Sequence, residues 1–165
     1  MFQDKVVVVT GGAGGIGRCI AGEFEKNGAH VCVIDTAPGD HYVGDIGDKA
    51  VLEDFARTVI EQYGRVDVLV NNAPPQMCGI DDCTYEQFQA ALAVGVTAPF
   101  YLSKLFAPYF APGASIINIS SSRDRMSQPQ TESYTAAKAL ARFSRPSCSI
   151  RAVSSERPVG MSFLS

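Results

Sequence analysis

The feature that most constrains the fold is the run KVVVVTGGAGGIG at residues 5–17. Four consecutive valines predict a strand buried on both faces, because a half-exposed strand would alternate apolar and polar residues. The glycines that follow permit a tight turn, and apolar residues then recur at helical spacing from Ile16 to Phe24. Gly28 is placed to end that helix. This order predicts the first unit of an α/β domain.

Strand and helix patterns continue to alternate along the chain. Short apolar runs predict further strands at 29–35, 41–43, 66–70 and 115–120. Because parallel neighbours need crossover connections, the alternation predicts a mostly parallel sheet with helices on both faces.

Capping signals place the intervening helices. Asp48 is expected to cap the helix before the fourth strand, and Thr84 and Gln87 have the spacing of a capping box. Pro99 and Pro108 are expected to bend or segment the long helical stretch that follows. A last helix is predicted to begin near residue 133.

Composition indicates a soluble globular protein. The 165 residues are 46% hydrophobic and 19% charged, which suits one domain with a core. The net charge of −3 gives no electrostatic case for binding nucleic acid or an anionic membrane. No apolar run approaches the ~20 residues of a membrane span, and the first ten residues lack a signal-peptide core. We therefore expect a cytoplasmic protein with no membrane or nucleic-acid partner.

The five cysteines form no C-x-x-C pair and no histidine cluster with zinc spacing. Cys19 and Cys32 lie in apolar segments and are predicted to be small core residues. Cys78 and Cys83 flank a loop, where free thiols are expected. No metal site and no disulfide are predicted.

Two overlapping glycine patterns follow the first strand. Gly12, Gly14 and Gly17 satisfy G-x-G-x-x-G, and Gly11, Gly15 and Gly17 satisfy T-G-x-x-x-G-x-G. In either pattern, glycines let the backbone approach a pyrophosphate, and the helix N-terminus supplies unpaired N–H groups and a positive dipole end. A dinucleotide site is therefore predicted at this turn.

Acidic residues end the second and third predicted strands. Asp35 is placed to accept hydrogen bonds from an adenosine ribose and to repel a 2′-phosphate, which favours NAD over NADP. Thr36 and Ala37 supply no compensating arginine. The alternative for Asp35 is an ordinary turn residue. Asp45, in GDI at 44–46, is a weaker candidate for the adenine edge.

Taken together, these motifs resemble the short-chain dehydrogenase/reductase family over about residues 4–142. The resemblance is carried by TGGAGGIG, Asp35, GDI, NNA at 71–73, INISSS at 117–122 and YTAAK at 134–138. It implies a Rossmann-type, doubly wound parallel sheet. The cofactor-binding residues that it implies are Gly11, Gly15, Ile16, Gly17, Asp35, Asp45, Ile46, Asn71, Ala73, Tyr134 and Lys138.

The resemblance also implies the chemistry: hydride transfer between a nicotinamide and a secondary alcohol or ketone. Tyr134 would be the general acid/base. Lys138, one helical turn later, would favour the phenolate and hydrogen-bond the nicotinamide ribose. Ser121 would orient the substrate oxygen. The alternative for Tyr134 and Lys138 is an ordinary surface helix pair.

Two positions depart from the family pattern. The family usually continues NNA with glycine, whereas this chain has Pro74 and Pro75, which restrict the loop. Gly95 stands where the family usually has an asparagine that holds a water behind the lysine. We expect Gly95 to weaken this proton relay. Asn71 would brace the sheet through its side chain.

The sequence changes character after residue 143. We assign residues 1–143 to the NAD-binding domain and predict that 144–165, rich in serine and arginine, form an irregular tail. About five strands are expected, without the C-terminal strands usual in the family. The resemblance also implies a homodimer or homotetramer through the long helices near Thr84 and Ser133. The alternative is a truncated or frameshifted chain that binds NAD at most.

Overall fold

A computed structural model of the protein describes residues 2–140. The strands are β1 Val6–Thr10, β2 His30–Asp35, β3 Tyr42–Val43, β4 Val66–Asn71 and β5 Phe110–Asn118. The α-helices are α1 Gly15–Lys26, α2 Lys49–Tyr63, α3 Tyr85–Leu92, α4 Ala98–Phe106 and α5 Glu132–Leu140. The five strands form one parallel sheet in the order β3-β2-β1-β4-β5. The predicted α/β class and doubly wound parallel sheet are confirmed.

The strand order creates a switch point at the centre of the sheet. From β1 the chain moves outward to β2 and β3 on one side, and it then returns through β4 and β5 on the other. The carboxyl ends of β1 and β4 therefore border a crevice between connections that diverge. Open α/β sheets bind ligands at this place.

The valine run supplies both sides of the core. Val6 and Val8 pack with α2 and α4, against residues such as Phe55 and Leu102. The alternate valines pack in a second cluster with Ala21 of α1. All four valines are almost completely buried, so each contributes about 1.5–3 kcal/mol of hydrophobic stabilisation. This two-sided burial explains why the run does not alternate.

The predicted helix caps are confirmed. The carboxylate of Asp48 accepts a hydrogen bond from the Ala50 N–H at 2.7 Å. Thr84 and Gln87 exchange the two hydrogen bonds of a capping box at the start of α3. Gly64 ends α2 in the left-handed conformation, with φ of 67°, which favours glycine.

The long helical stretch is segmented, as its prolines predicted. A π-helical turn at Ala93–Thr97 separates α3 from α4, and a 3₁₀ turn follows at Ala107–Tyr109. The whole stretch Tyr85–Tyr109 is nevertheless continuous, with 25 residues and a mean hydropathy of 1.4 in its most apolar window. By length and composition it reaches the limit for a membrane span, so the expectation that no apolar run approached this length was wrong. Leu102 and Phe106 place its buried face in the core of the domain.

Other sequence expectations need correction. Cys19 is exposed on α1 rather than buried, and Cys32 is half-buried. Strand β5 begins at Phe110, five residues earlier than predicted. Pro112 and Gly113 concealed this part of the strand, because they lie where the register with β4 shifts. The predicted tail at 144–165 lies outside the described residues.

Candidate functional site

A large cavity of about 820 Å³ opens at the carboxyl ends of the central strands. It extends from the glycine loop after β1 to the first turns of α5. Eleven of the predicted site residues line it: Gly11, Gly15, Ile16, Gly17, Asp35, Asp45, Ile46, Ala73, Ser121, Tyr134 and Lys138. Asn71 does not line it.

The glycine loop is shaped by close approaches of the backbone. A Cβ at Gly17 would lie 2.1 Å from the Gly11 carbonyl oxygen and 2.4 Å from Nδ2 of Asn72. A Cβ at Gly11, where φ is 66°, would lie 2.8 Å from Cα of Ala73. These positions accept glycine alone because backbone atoms fill the space of a side chain.

The opposite side of the same loop is open. A Cβ at Gly14 or Gly15 would meet nothing within 4 Å, and both residues line the large cavity. The N-terminus of α1 has no side-chain cap, so its first N–H groups are available to a ligand. The loop therefore has the form of an anion cradle at a helix N-terminus.

Asp35 holds the glycine loop as well as lining the cavity. One carboxylate oxygen accepts the Ala13 N–H at 2.9 Å, and the other accepts the Ala37 N–H at 3.0 Å. A carboxylate has about four acceptor positions, so capacity remains for ligand hydroxyls. The sequence pattern did not predict this bracing role. Arg18 does not line the cavity.

Asp45 and Ile46 form the cavity wall beyond β3. The Asp45 carboxylate accepts the Gly47 N–H at 2.8 Å, which closes a short turn. Ile46 is buried against the core. Together with Asp35, Asp45 makes this end of the cavity acidic, whereas Lys138 supplies a cation at the other end.

The NNA segment ties β4 to the end of β1. Nδ2 of Asn72 donates to the carbonyl oxygens of Thr10 and Gly11, at 3.0 and 2.9 Å. The Thr10 hydroxyl accepts the N–H groups of Asn72 and Ala73. Asn72 thus fixes the glycine loop against β4. We had not predicted a role for it, although the NNA motif was the signal that could have found it.

Asn71 braces the sheet as predicted. Its Nδ2 donates to Oδ1 of Asn118 on β5 at 2.8 Å. The Oδ1 atom of Asn71 is buried without a hydrogen-bond partner in the described part of the chain. Asn71 and Lys138 both line a second cavity of only about 10 Å³.

The predicted catalytic residues meet where β5 and α5 border the large cavity. The Nζ atom of Lys138 lies 5.6 Å from the centre of the Tyr134 ring and donates to the Ile119 carbonyl at 2.6 Å. Ser121 follows β5, and its hydroxyl accepts the Arg123 N–H at 3.2 Å. A phenol, an ammonium and a hydroxyl thus border one space, a set suited to moving a proton to or from a substrate oxygen.

Burial tunes the lysine. Lys138 is only 5% exposed, and this desolvation lowers the pKa of its ammonium. The hydrogen bond to Ile119 directs the side chain along the end of β5 rather than into solvent. Lys138 is therefore a positioned group and differs from the ordinary surface lysine that was its alternative.

Ser133 holds the start of α5 and was not predicted. Its hydroxyl accepts the Cys78 N–H and donates to the Gln76 carbonyl, both at 2.9 Å, while its own N–H donates to the Cys78 carbonyl at 3.2 Å. These bonds join the loop after β4 to the residue before Tyr134. The long-range pairing left no local signal in the sequence.

Comparison with known proteins identifies the family. A sequence profile described as short chain dehydrogenase matches residues 5–146. The chain belongs to the short-chain dehydrogenase/reductase family. It is therefore of an oxidoreductase family that binds nicotinamide cofactors.

Individual relatives are identical to this short-chain dehydrogenase/reductase chain at about a third of the aligned positions. An uncharacterized oxidoreductase of Thermotoga maritima is 35% identical over 157 residues, covering 84% of this chain and 61% of the relative. Momilactone A synthase of Oryza sativa is 35% identical over 156 residues, covering 81% and 56%. The chain thus spans about three-fifths of the length of these curated relatives.

Solved structures show the same fold. An apo SCOR enzyme from Clostridium thermocellum is 35% identical with a TM-score of 0.78, over 84% of this chain and 63% of that one. A metagenomic short-chain oxidoreductase in complex with NADP is 28% identical with a TM-score of 0.79, over 86% and 72%. Both place the described residues within this family's fold.

Proposed function

We propose that this chain is an NAD-dependent oxidoreductase that acts on a secondary alcohol or ketone. The observation that carries the proposal is the large cavity, which joins the glycine loop and Asp35 to Ser121, Tyr134 and Lys138. Neither the glycine loop with Asp35 nor the group of Ser121, Tyr134 and Lys138 indicates this activity by itself. A nucleotide cradle that shares one space with a positioned acid/base pair is the arrangement that hydride transfer to a carbonyl requires.

The residues present fit a nicotinamide dinucleotide. The open side of Gly14 and Gly15 and the uncapped N-terminus of α1 suit its pyrophosphate. Asp35 and the wall at Ile46 suit an adenosine, and Tyr134 and Lys138 lie at the far end. When bound, the cofactor would supply or accept the hydride.

The charge of the adenosine end favours NAD over NADP. Asp35 and Asp45 are the acidic side chains that line it, and among the described residues no arginine lines the cavity. A 2′-phosphate would meet these carboxylates without a compensating cation, whereas ribose hydroxyls can donate to them. The NADP bound to the metagenomic relative is a property of that protein.

The chain's own residues would manage the proton. Tyr134 would donate its phenolic proton to the carbonyl oxygen in reduction and take it back in oxidation. The Lys138 ammonium, held by the Ile119 carbonyl, would stabilise the phenolate. Ser121 would donate a hydrogen bond that orients the substrate oxygen, from its place beside the cavity at the end of β5.

The test compares the wild-type chain with Tyr134→Phe on a panel of ketones with NADH. We expect turnover to fall by about 10²–10⁴-fold, because the variant loses its acid/base group. Calorimetry should show NAD binding to both proteins, since the phenyl ring preserves the cavity. Turnover that Tyr134→Phe leaves unchanged would rule out this mechanism. If the wild-type chain binds NAD but shows no turnover, the result would instead support the alternative hypothesis that the chain binds the cofactor without catalysis.

We also propose that the chain acts on small molecules as a homodimer or homotetramer in the cytoplasm. Tyr85 of α3 and Phe100 of α4 are large exposed residues, at 73% and 62% exposure, on the helices expected to form a dimer face. Light scattering of the purified chain tests the oligomer. A monomer at all concentrations would contradict it.

A further inference from the structure

Gly95 lies at an unusually close approach between two helical segments. It is buried in the π-helical turn Ala93–Thr97, and a Cβ built on it would lie 2.7 Å from Cβ of Ala137 on α5. The same Cβ would lie 3.1 Å from Cγ of Pro75. A methyl group at position 95 would therefore overlap one neighbour and press against a second.

The surroundings leave little free space for a larger side chain at position 95. Ala137 and Pro75 are buried, and the nearby cavity lined by Asn71, Gly95 and Lys138 measures only about 10 Å³. That volume is on the order of one water molecule. Pro75 and Gly95, which are separate departures from the family pattern, thus lie close enough that a side chain at position 95 would press against the Pro75 ring.

The close approach lies next to the lysine in the chain. Ala137 is fully buried and immediately precedes Lys138 on α5. The depth at which α5 sits against the π-helical turn therefore sets where the lysine side chain begins. At the observed depth, Nζ reaches the Ile119 carbonyl at 2.6 Å.

The π-helical turn itself favours this contact. The Ala98 N–H donates to the Ala93 carbonyl, five residues earlier, and Pro99 then has no N–H to continue the ladder. Gly95 is the central residue of this turn, and π-turns inside helices frequently occur at functional sites. A glycine at this point allows α5 to approach without a clash.

We propose that Gly95 and Ala137 form a spacer, which means that their small size sets the distance between the π-helical turn and α5 and thereby positions Lys138. Pro75 packs beside the same point and limits the space around Gly95. The spacer acts through α5, so Gly95 and Ala137 are positioning residues rather than catalytic ones. The inference rests on the proposed role of Lys138, but the geometry that it describes can be measured without turnover. The spacer also predicts that Gly95→Asn displaces Lys138 and lowers turnover. The asparagine would then not restore the water-mediated proton relay that is usual in the family.

The experiment adds a methyl group at Gly95, removes the one at Ala137, or does both. The variants are Gly95→Ala, Ala137→Gly and the double variant that carries both changes. Gly22→Ala is the matched control, because it adds a methyl to a helical glycine with nothing within 4 Å. The first readout is the rate at which acetic anhydride labels Lys138, followed by mass spectrometry, with the exposed Lys26 and Lys49 as internal references.

We expect Gly95→Ala to label Lys138 roughly tenfold faster than wild type, because the displaced helix exposes Nζ. Its melting temperature should fall by roughly 5–10 °C. The double variant should recover most of both values, since Ala137→Gly removes the methyl that Gly95→Ala meets. Gly22→Ala should label like wild type.

Equal labelling in Gly95→Ala and wild type would overturn the proposal. So would a double variant that labels as fast as Gly95→Ala, because the Ala137 methyl would then not be the partner. If Gly95→Ala does not fold, recovery of a folded double variant supports the spacer, and failure of both to fold contradicts it.

A second readout separates this inference from the proposed function. In active variants, displacement of the ammonium should move the pH of half-maximal alcohol oxidation upward, because the phenolate loses support. A change in stability alone would not move this midpoint. A wild-type chain without turnover would defeat the proposed function, while the labelling pattern would still decide the spacer.

Discussion

The two ends of the large cavity are built in different ways. The glycine-loop end comes from β1, α1 and β2, which are consecutive in the chain. The tyrosine end depends on contacts between distant segments, such as Ser133 with Gln76 and Cys78. The motif of the first end is therefore local in sequence, although Asn72 and Ala73 after β4 also hold it, whereas the second end has no such local motif for its supporting contacts.

This difference determines how each end should respond to substitution. At the glycine-loop end, backbone atoms fill the space beside the glycines, so a methyl group should damage folding and ligand binding together. At the tyrosine end, we expect that a methyl group added at Gly95 can be accommodated if the methyl group of Ala137 is removed. The double variant Gly95→Ala with Ala137→Gly tests this expectation.

Gly17→Ala should have the largest effect. Its Cβ would lie 2.1 Å from a backbone oxygen, so we expect the unfolding free energy to fall by about 3 kcal/mol or more and NAD binding to be lost. Gly14→Ala is the control, since its Cβ meets nothing and stability should change by less than about 1 kcal/mol. Urea unfolding measures the change in unfolding free energy, and calorimetry measures NAD binding. A Gly17→Ala variant as stable as Gly14→Ala would contradict the rigid-loop account.

Asp35→Ser should change cofactor preference at the same end. Without the carboxylate, the ratio of NAD to NADP affinity should fall by about 10- to 100-fold, because a 2′-phosphate is no longer repelled. Loss of the hydrogen bonds to Ala13 and Ala37 should also loosen the loop and weaken both affinities. Asp45→Ser serves as the control for a nearby carboxylate. An unchanged ratio in Asp35→Ser would remove the basis for preferring NAD.

Substitution of Asp67, near the amino end of β4 and far from the cavity, should have a smaller and pH-dependent effect on stability. Burial by itself would raise the pKa of its carboxyl, but hydrogen bonds from Arg65, the Val6 N–H and Lys5 outweigh this and lower it. Stability from Asp67 is therefore present above its usual pKa of 3.8 and is lost as the pH falls through the lower folded value.

Asp67→Asn should accordingly destabilise the protein by about 1–3 kcal/mol at pH 7. The difference from wild type should shrink as the pH falls below about 4. Urea unfolding at several pH values measures it, and NAD affinity should not change, because Asp67 is remote from the cavity. A difference that grows toward low pH would contradict the assigned sign.

The sequence predicted the locally encoded features well. The valine run, the glycine loop, the Asp48 cap and the Thr84–Gln87 capping box all depend on neighbours within a few residues. The family resemblance added Ser121, Tyr134 and Lys138, which line one cavity in the structure. Their catalytic roles stay predictions.

What the sequence did not predict is set by long-range packing. Cys19 has an apolar neighbourhood in sequence but faces solvent, because α1 packs through Ala21 instead. The start of β5 was hidden by a bulge at Pro112 and Gly113. The close approach of Gly95, Pro75 and Ala137 involves three segments, and no single stretch of sequence carries that information.

The central claim is that one cavity joins a nicotinamide site to the Tyr134–Lys138 pair for hydride transfer. The most direct measurement is to incubate the full chain with NADH deuterated at the nicotinamide C4 and a panel of ketones, and to analyse the alcohols by mass spectrometry. We predict deuterium on the carbinol carbon with the wild-type chain, and its formation about 10²–10⁴-fold more slowly with Tyr134→Phe. Saturating NADH binding with no deuterium in any alcohol would contradict the claim.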